Sequence, residues 1–253
     1  TNGMVITTNT TLVPGTYNLS NGISIGASNV TLDMNGATLV GTSFNNYGVT
    51  CRNYRHVTSR NGTVRNYYYG MRIENGTDIT VHNNNLSANY VDPASKTSSP
   101  PFLNINVGPN LGDRTNLGGG LFVNNVSYAT ISGNTMQNAE NGIDLYYVTF
   151  STISNNDASN NTGWGIHLYA STDNVVSGNT ADNCIRTNLY DSADFLLVYG
   201  SSRNQILNNS MRGGGDGFFI GNEGGCPSND NLVQGNDASN AGANAFEATF
   251  SSG

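Results

Sequence analysis

One unit recurs along most of this 253-residue chain, and it restricts the fold more than any other feature. Three consecutive copies open with Thr130-Ile131-Ser132-Gly133-Asn134-Thr135, Thr152-Ile153-Ser154-Asn155-Asn156-Asp157 and Val175-Val176-Ser177-Gly178-Asn179-Thr180. The period is about 22 residues, the signature of stacked supersecondary units. Each opening is followed by a Gly-apolar-polar-apolar run: Gly142-Ile143-Asp144-Leu145, Gly165-Ile166-His167-Leu168, then the weaker Phe195-Leu196-Leu197-Val198. Apolar and polar residues alternate over a few positions only, with Gly and Asn between the runs. That is strand periodicity, and no stretch carries a helical apolar stripe of useful length. Asn and Gly at the corners tolerate left-handed backbone. The expected fold is therefore all-β, a single-stranded solenoid wound as a parallel β-helix with coils ~4.8 Å apart.

Further units lie on both sides of the clear ones. Val30-Thr31-Leu32, Val57-Thr58 and Ile79-Thr80-Val81 open earlier units, and Gln205-Ile206-Leu207 and Leu232-Val233-Gln234 open later ones, giving about eight coils in one domain over residues 1–253. The recurring corner asparagines, Asn84, Asn134, Asn156, Asn179, Asn209 and Asn236, are expected to stack as an internal amide ladder. Residues 1–29 are expected as an N-terminal cap region, and 86–119 as a long loop inserted in one coil. Shorter expansions fall at 184–194 and 222–230. All three leave near the Gly-apolar-polar-apolar strand, and long loops of this kind are usually functional. The last residues, Phe250-Ser251-Ser252-Gly253, follow a strand with nothing cap-like, so that end is expected to be truncated or covered by a partner chain or by self-association.

The Ile-Ser-Gly-Asn-Thr and Asn141-Gly142-Ile143-Asp144-Leu145-Tyr146 units carry a family resemblance, together with the opening Leu12-Val13-Pro14-Gly15-Thr16-Tyr17 and Asn29-Val30-Thr31-Leu32-Asp33-Met34-Asn35-Gly36. Over nearly its whole length the chain resembles right-handed parallel β-helix repeat proteins, specifically the NosD-like and carbohydrate-binding, sugar-hydrolase (pectate-lyase-like) branch. The resemblance implies a right-handed helix and a carbohydrate ligand. It leaves the activity open, because one fold hosts many chemistries. Motifs of polygalacturonase-type hydrolases are lacking, and only Tyr90-Val91-Asp92-Pro93 partly matches the epimerase motif of this fold. No His/Met/Cys cluster supports copper handling.

The charge balance narrows the partners. Net charge is −7 with a single lysine, Lys96, so nucleic acid is not expected. An anionic polymer would have to be met by local arginines. No apolar run is long enough to enter a membrane as a spanning segment. Of the three cysteines, Cys51 sits at an inward position, whereas Cys184 and Cys226 fall in loops one coil apart, where a disulfide is feasible. Such a bond would fit the secreted or periplasmic location expected here. Their spacing gives no zinc pattern, and no metal ligands are assigned.

Aligning the Gly-apolar-polar-apolar strand across coils gives an outward column reading Thr50, Arg72, Phe122, Asp144, His167, Leu197, Phe219, Glu247. A merely solvated column would repeat Thr, Ser and Asn. Two residues on, the column reads Glu74, Asn124, Tyr146, Tyr169, Tyr199, Gly221, Thr249. Outward tyrosines beside charged groups suit a sugar-binding groove, since aromatic faces pack on pyranose rings; the alternative is a stack that only stabilises the sheet. Asp144 and His167, one coil apart, form a candidate acid–base pair bordered by Tyr146 and Tyr169. Arg72 is placed to neutralise a substrate carboxylate. That set suits lyase or C5-epimerase chemistry on a uronate-containing polysaccharide.

A second constellation aligns Asp194 with Asp216 in the column of Trp164 and Asn244. Two carboxylates one coil apart would serve a glycoside hydrolase or half of a Ca2+ site. Trp164, Tyr199, Phe122, Phe219 and Glu247 are the expected substrate-binding residues. A third reading is a non-catalytic glycan-binding or adhesive solenoid.

Overall fold

The computed structural model describes residues 1–91, 118–186, 192–221 and 225–249. It is a parallel β-helix, and the described residues contain no α-helix. The first face stacks β1 (Met4–Ile6), β4 (Ile23–Ile25), β7 (Tyr47–Arg52), the first half of β10 (Tyr69–His82), β11 (Gly119–Ser127), β13 (Asn141–Thr149), β15 (Trp164–Tyr169), β17 (Ala193–Val198), β19 (Asp216–Gly221) and β21 (Phe246–Thr249). The second face stacks β2 (Thr10–Thr11), β5 (Thr31–Asp33), β8 (Arg55–Arg60), the second half of β10, β12 (Thr130–Ser132), β14 (Thr152–Ser154), β16 (Val175–Ser177), β18 (Gln205–Leu207) and β20 (Leu232–Gln234). The third face begins with β3 (Thr16–Asn18), β6 (Thr38–Val40) and β9 (Thr63–Arg65), then thins to single bridges from Thr63 through Asn85, Thr135, Asp157, Thr180 and Ser210 to Asp237. Every pairing is parallel.

Inside, the alternating Ile, Val and Leu of all faces merge into one core running along the axis, with Ile143, Ile153, Ile166, Val176 and Ile206 fully buried. At the corners the asparagine ladder forms as expected: the Nδ2 of Asn134, Asn156, Asn179 and Asn209 each donates to the Oδ1 of the next, over 2.9–3.0 Å. A second ladder, which the sequence reading did not pick out, runs from Ser151 through Asn174 and Asn204 to Asn231. Between faces the chain turns on single left-handed residues. Asn53, Asn75, Asn125, Tyr147, Ala170 and Tyr199 share one such column at the first-to-second bend, with φ from 47° to 66°.

Several expectations change. Residues 1–29 already wind in register, with β1 on β4 and β2 on β5, so they begin the helix and are no separate cap; the helix is correspondingly longer than expected. Of the loop expected over 86–119, Leu86 is a fully buried core residue and Gly119 opens β11, while 92–117 lie outside the described residues. So do 187–191 and 222–224 of the two shorter expansions. Cys51 is buried in the core, and burial pushes its thiol up to about 11. Cys184 and Cys226 are both free thiols, the first buried and the second exposed, so the disulfide is not made.

Candidate functional site

The outer surface of the first face carries the site. Its central column follows the aligned register: Arg72 stands beside Phe122, Phe122 beside Asp144, and Asp144 beside His167. Asp144 and His167 are both 0% exposed. His167 Nδ1 lies 3.1 Å from Asp144 Oδ1. With the carboxylate accepting from Nδ1–H, the other ring nitrogen, Nε2, carries the lone pair of the neutral ring. Two groups outside the expected set fix the carboxylate. Tyr69 donates its hydroxyl to Asp144 Oδ2 over 2.6 Å, and Asn141 Nδ2 donates to the same oxygen over 3.0 Å. Asn141 uses its Oδ1 to accept from the backbone N–H of Trp164 over 3.0 Å, tying β13 to β15 at the pair.

Aromatic rings surround the pair. Tyr69, Phe122, Tyr146 and Tyr169 step along the axis with centroids 5.0–5.4 Å apart, and Tyr199 stacks on Tyr169 at 4.3 Å. Tyr146 meets His167 edge-on at 5.3 Å, with its hydroxyl 3.5 Å from Nδ1. This row is not the open groove expected. Phe122, Tyr146 and Trp164 are fully buried and Phe219 nearly so, in a second apolar cluster distinct from the axial core. Outward from the coil is therefore not the same as exposed, and Trp164, Phe122 and Phe219 are not surface sugar platforms.

The sequence model described as "Right handed beta helix region" matches residues 113–253, more than half of the chain. The chain belongs to this right-handed β-helix family. No curated protein matches it in sequence. Among solved structures, the β-helix is similar to DFA-IIIase from Arthrobacter chlorophenolicus A6 without its lid, at a TM-score of 0.56 and 13% identity over 92% of this chain and 54% of that one. The same enzyme in complex with GF2 gives a TM-score of 0.54 at 11% identity, over 93% and 54%. The Dettilon tailspike protein gives 0.50 at 15% identity, over 97% and 61%. At these identities the likeness is one of fold. This β-helix spans little more than half the length of the structures it resembles.

The remaining expected residues divide. Arg72 faces the site but is engaged: its guanidinium reaches Glu74 and the Tyr47 hydroxyl, each at 2.7 Å, and lies over the Tyr47 ring. Glu74 also pairs with Arg52, so two arginines share one carboxylate and the cluster keeps a net positive charge. The Asp194–Asp216 pair is not formed, because Ala193, not Asp194, stands opposite Asp216. Asp194 instead accepts the backbone N–H groups of Cys184 and Gly214, over 2.8 and 3.0 Å. Asp216 accepts from Asn244, which also donates to Glu247 over 2.7 Å. Neither the retaining-hydrolase pair nor the shared Ca2+ site follows from this geometry.

The same one-residue slip puts Leu196 in the outward column and Leu197 in the core. It also puts Val198 opposite Tyr169 and moves Tyr199 to the bend, from where its ring still reaches Tyr169. Tyr69 and Asn141 were missed. Tyr69 ends the Tyr67-Tyr68-Tyr69 run and is the first residue of β10, and Asn141 stands two strands along in the same register. Applying the column alignment three residues before Asp144 would have found both.

Proposed function

We propose that this β-helix acts on a glycan by proton transfer at the Asp144–His167 pair. The observation that carries the proposal is the pair itself: a carboxylate held by Tyr69 and Asn141 orients an imidazole inside a row of aromatic rings. Any buried carboxylate needs such donors; here they also fix the oxygens that orient the imidazole. An acid–base residue needs a fixed tautomer and ring plane. The aromatic row suits sugar rings, and the repeat resembles carbohydrate-binding β-helices. The net positive Arg52–Glu74–Arg72 cluster, along the same column, supports a substrate carboxylate. These features favour removal of a proton α to a uronate carboxylate, as in a lyase or C5-epimerase, with His167 exchanging the proton and Tyr146 beside it.

The test is absorbance of an unsaturated uronate during incubation with polyuronates, run beside a reducing-sugar assay on neutral glycans. Turnover should fall at least about 100-fold in His167→Asn, with an unchanged circular-dichroism spectrum. Turnover that survives the substitution removes His167 from the chemistry. The full burial of the pair favours one alternative, a glycan-binding solenoid without catalysis. Silence in both assays, and no change in the C5 configuration of the uronates by proton NMR, with glycan binding retained, would put that reading first.

A further inference from the structure

An open concavity on the described surface lies away from the buried pair, along the left-handed bend between the first and second faces. It is a groove of about 810 Å³ running from Arg55 and Tyr54 to Tyr147 and Ala170. A smaller one of about 450 Å³ continues it past Asn53 and Tyr54 to Arg52. We propose that this bend is a binding groove for an acidic glycan strand laid parallel to the helix axis.

The floor repeats with the coils. Asn75 donates to Asn53 over 3.1 Å, and Asn125 to Asn75 over 2.9 Å, so each amide keeps further hydrogen-bonding capacity directed away from the ladder. Beside them the hydroxyls of Thr77 and Ser127 lie 3.2 Å apart on successive coils. A row of amides and hydroxyls recurring every ~4.8 Å matches a ligand that is itself repetitive and rich in hydroxyl groups. Tyr147 supplies an exposed ring on the wall, 43% accessible. One residue past the lining residues Ser127 and Thr149, Tyr128 and Phe150 stack on each other at 5.5 Å and are also exposed. Exposed aromatic faces beside a polar floor suit sugar rings.

Charge selects the kind of sugar. The chain carries a net −7, yet the charged side chain lining the larger groove is Arg55 and the one lining the smaller is Arg52, with no carboxylate among the described lining residues. Arg55 makes no ion pair among the described residues. A positive end on an acidic protein gathers an anionic ligand and orients it. The far end of the groove approaches the buried pair, since Tyr147 meets Tyr169 edge-on at 5.8 Å and Tyr169 borders His167. The substrate class rests on the glycan reading above, whereas the groove itself needs no catalysis.

Titration calorimetry with hexamers of galacturonate, mannuronate and guluronate, each beside its methyl-esterified counterpart, tests the proposal. At least one acidic hexamer should bind, about tenfold or more tightly than its ester, and should weaken as salt rises. Arg55→Gln and Tyr147→Ala, both at exposed positions, should each cost about tenfold in affinity with an unchanged melting temperature. Binding of no hexamer, equal binding of acid and ester, or parental affinity in both groove variants overturns the proposal. Loss of turnover in His167→Asn with parental binding in the groove variants would sink the groove alone. Loss of binding in the groove variants with turnover intact in His167→Asn would sink the catalytic pair alone.

Discussion

At the scale of single residues, Asp144 shows how a solenoid builds a candidate site from parts distant in sequence. Its two oxygens are held by Tyr69, 75 positions earlier, by Asn141 on its own strand and by His167 on the next coil. The Asp144–His167 juxtaposition could be read from sequence because both follow Gly-Ile in consecutive units and stacking fixes the rest. Their burial could not. A repeat reveals which way a side chain points from the coil, but not what lies over it. Tyr69 is the sharper test of the arrangement. Tyr69→Phe keeps the ring in its aromatic row and removes only the hydroxyl that donates to a buried carboxylate. It should lower stability by about 1.5–3 kcal/mol, the worth of a hydrogen bond to a charged group, measured as a fall in the urea midpoint at unchanged slope. It should also reduce turnover with little change in KM, because the phenol orients the pair without touching substrate. A variant as stable and active as the parent would show that Asp144 is held without it.

At the scale of elements, the corner ladders explain how short strands suffice. The second-face strands from β12 onward are three residues long, too short to hold a sheet by themselves. Asn156 shows what is added: it donates to the Ile131 carbonyl and to Asn179, and it accepts from the backbone N–H and the side-chain amide of Asn134. Asn156→Ala strands buried donors and acceptors on both neighbouring coils. At about 1–3 kcal/mol for each buried group left unpaired, the loss should be at least about 2 kcal/mol in urea unfolding, whereas Thr152→Ala on the outer side of β14 should stay within about 0.5 kcal/mol. Equal effects would mean that the ladder is incidental to stability.

These corners also mark where sequence reading held. Between Thr130 and Thr180 the Asn positions pin each coil, and the expected register is the observed one. It failed by one residue at β17, where Ala193-Asp194-Phe195-Leu196-Leu197-Val198 offers no polar–apolar alternation to fix which leucine points inward. The expansion just before it removes the corner that would have kept the count. That slip alone created the apparent Asp194–Asp216 pair. The bend groove stayed hidden for a related reason: Asn53, Asn75 and Asn125 share their column with Tyr147 and Ala170, so no single residue type announces it.

At the scale of the whole molecule, the coil stack buries acids that most folds keep in water, and this sets the dependence of stability on pH. Burial pushes Asp194 up to about 7, prevailing over the two backbone N–H groups that favour its ionised form, and burial likewise raises Asp216. A carboxyl raised in the folded chain binds a proton that the unfolded chain has already released. Its contribution to stability is therefore complete below the unfolded value near 3.8 and is lost as pH rises through about 7. Asp33, Asp173 and Asp237 act with the opposite sign. Hydrogen bonds from Asn61, Arg203 and Ser239, respectively, hold them below the ordinary value, so their support is lost as pH falls below about 3.8. Asp237 is exposed, and the arginine partners of Asp33 and Asp173 lie open to solvent, so these groups contribute little. The two groups together place the stability maximum on the acid side of neutrality, and the net charge of −7 deepens the decline above it through self-repulsion. Urea unfolding of the parent should lose roughly 3 kcal/mol between pH 4.5 and pH 8 from Asp194 alone. Asp194→Asn, which keeps an oxygen for one of the Cys184 and Gly214 N–H groups and so lowers stability at every pH, should flatten that slope and leave the acid limb in place. Parallel pH curves for parent and variant would mean that Asp194 is ionised inside the fold, and that the decline belongs to the surface charge instead.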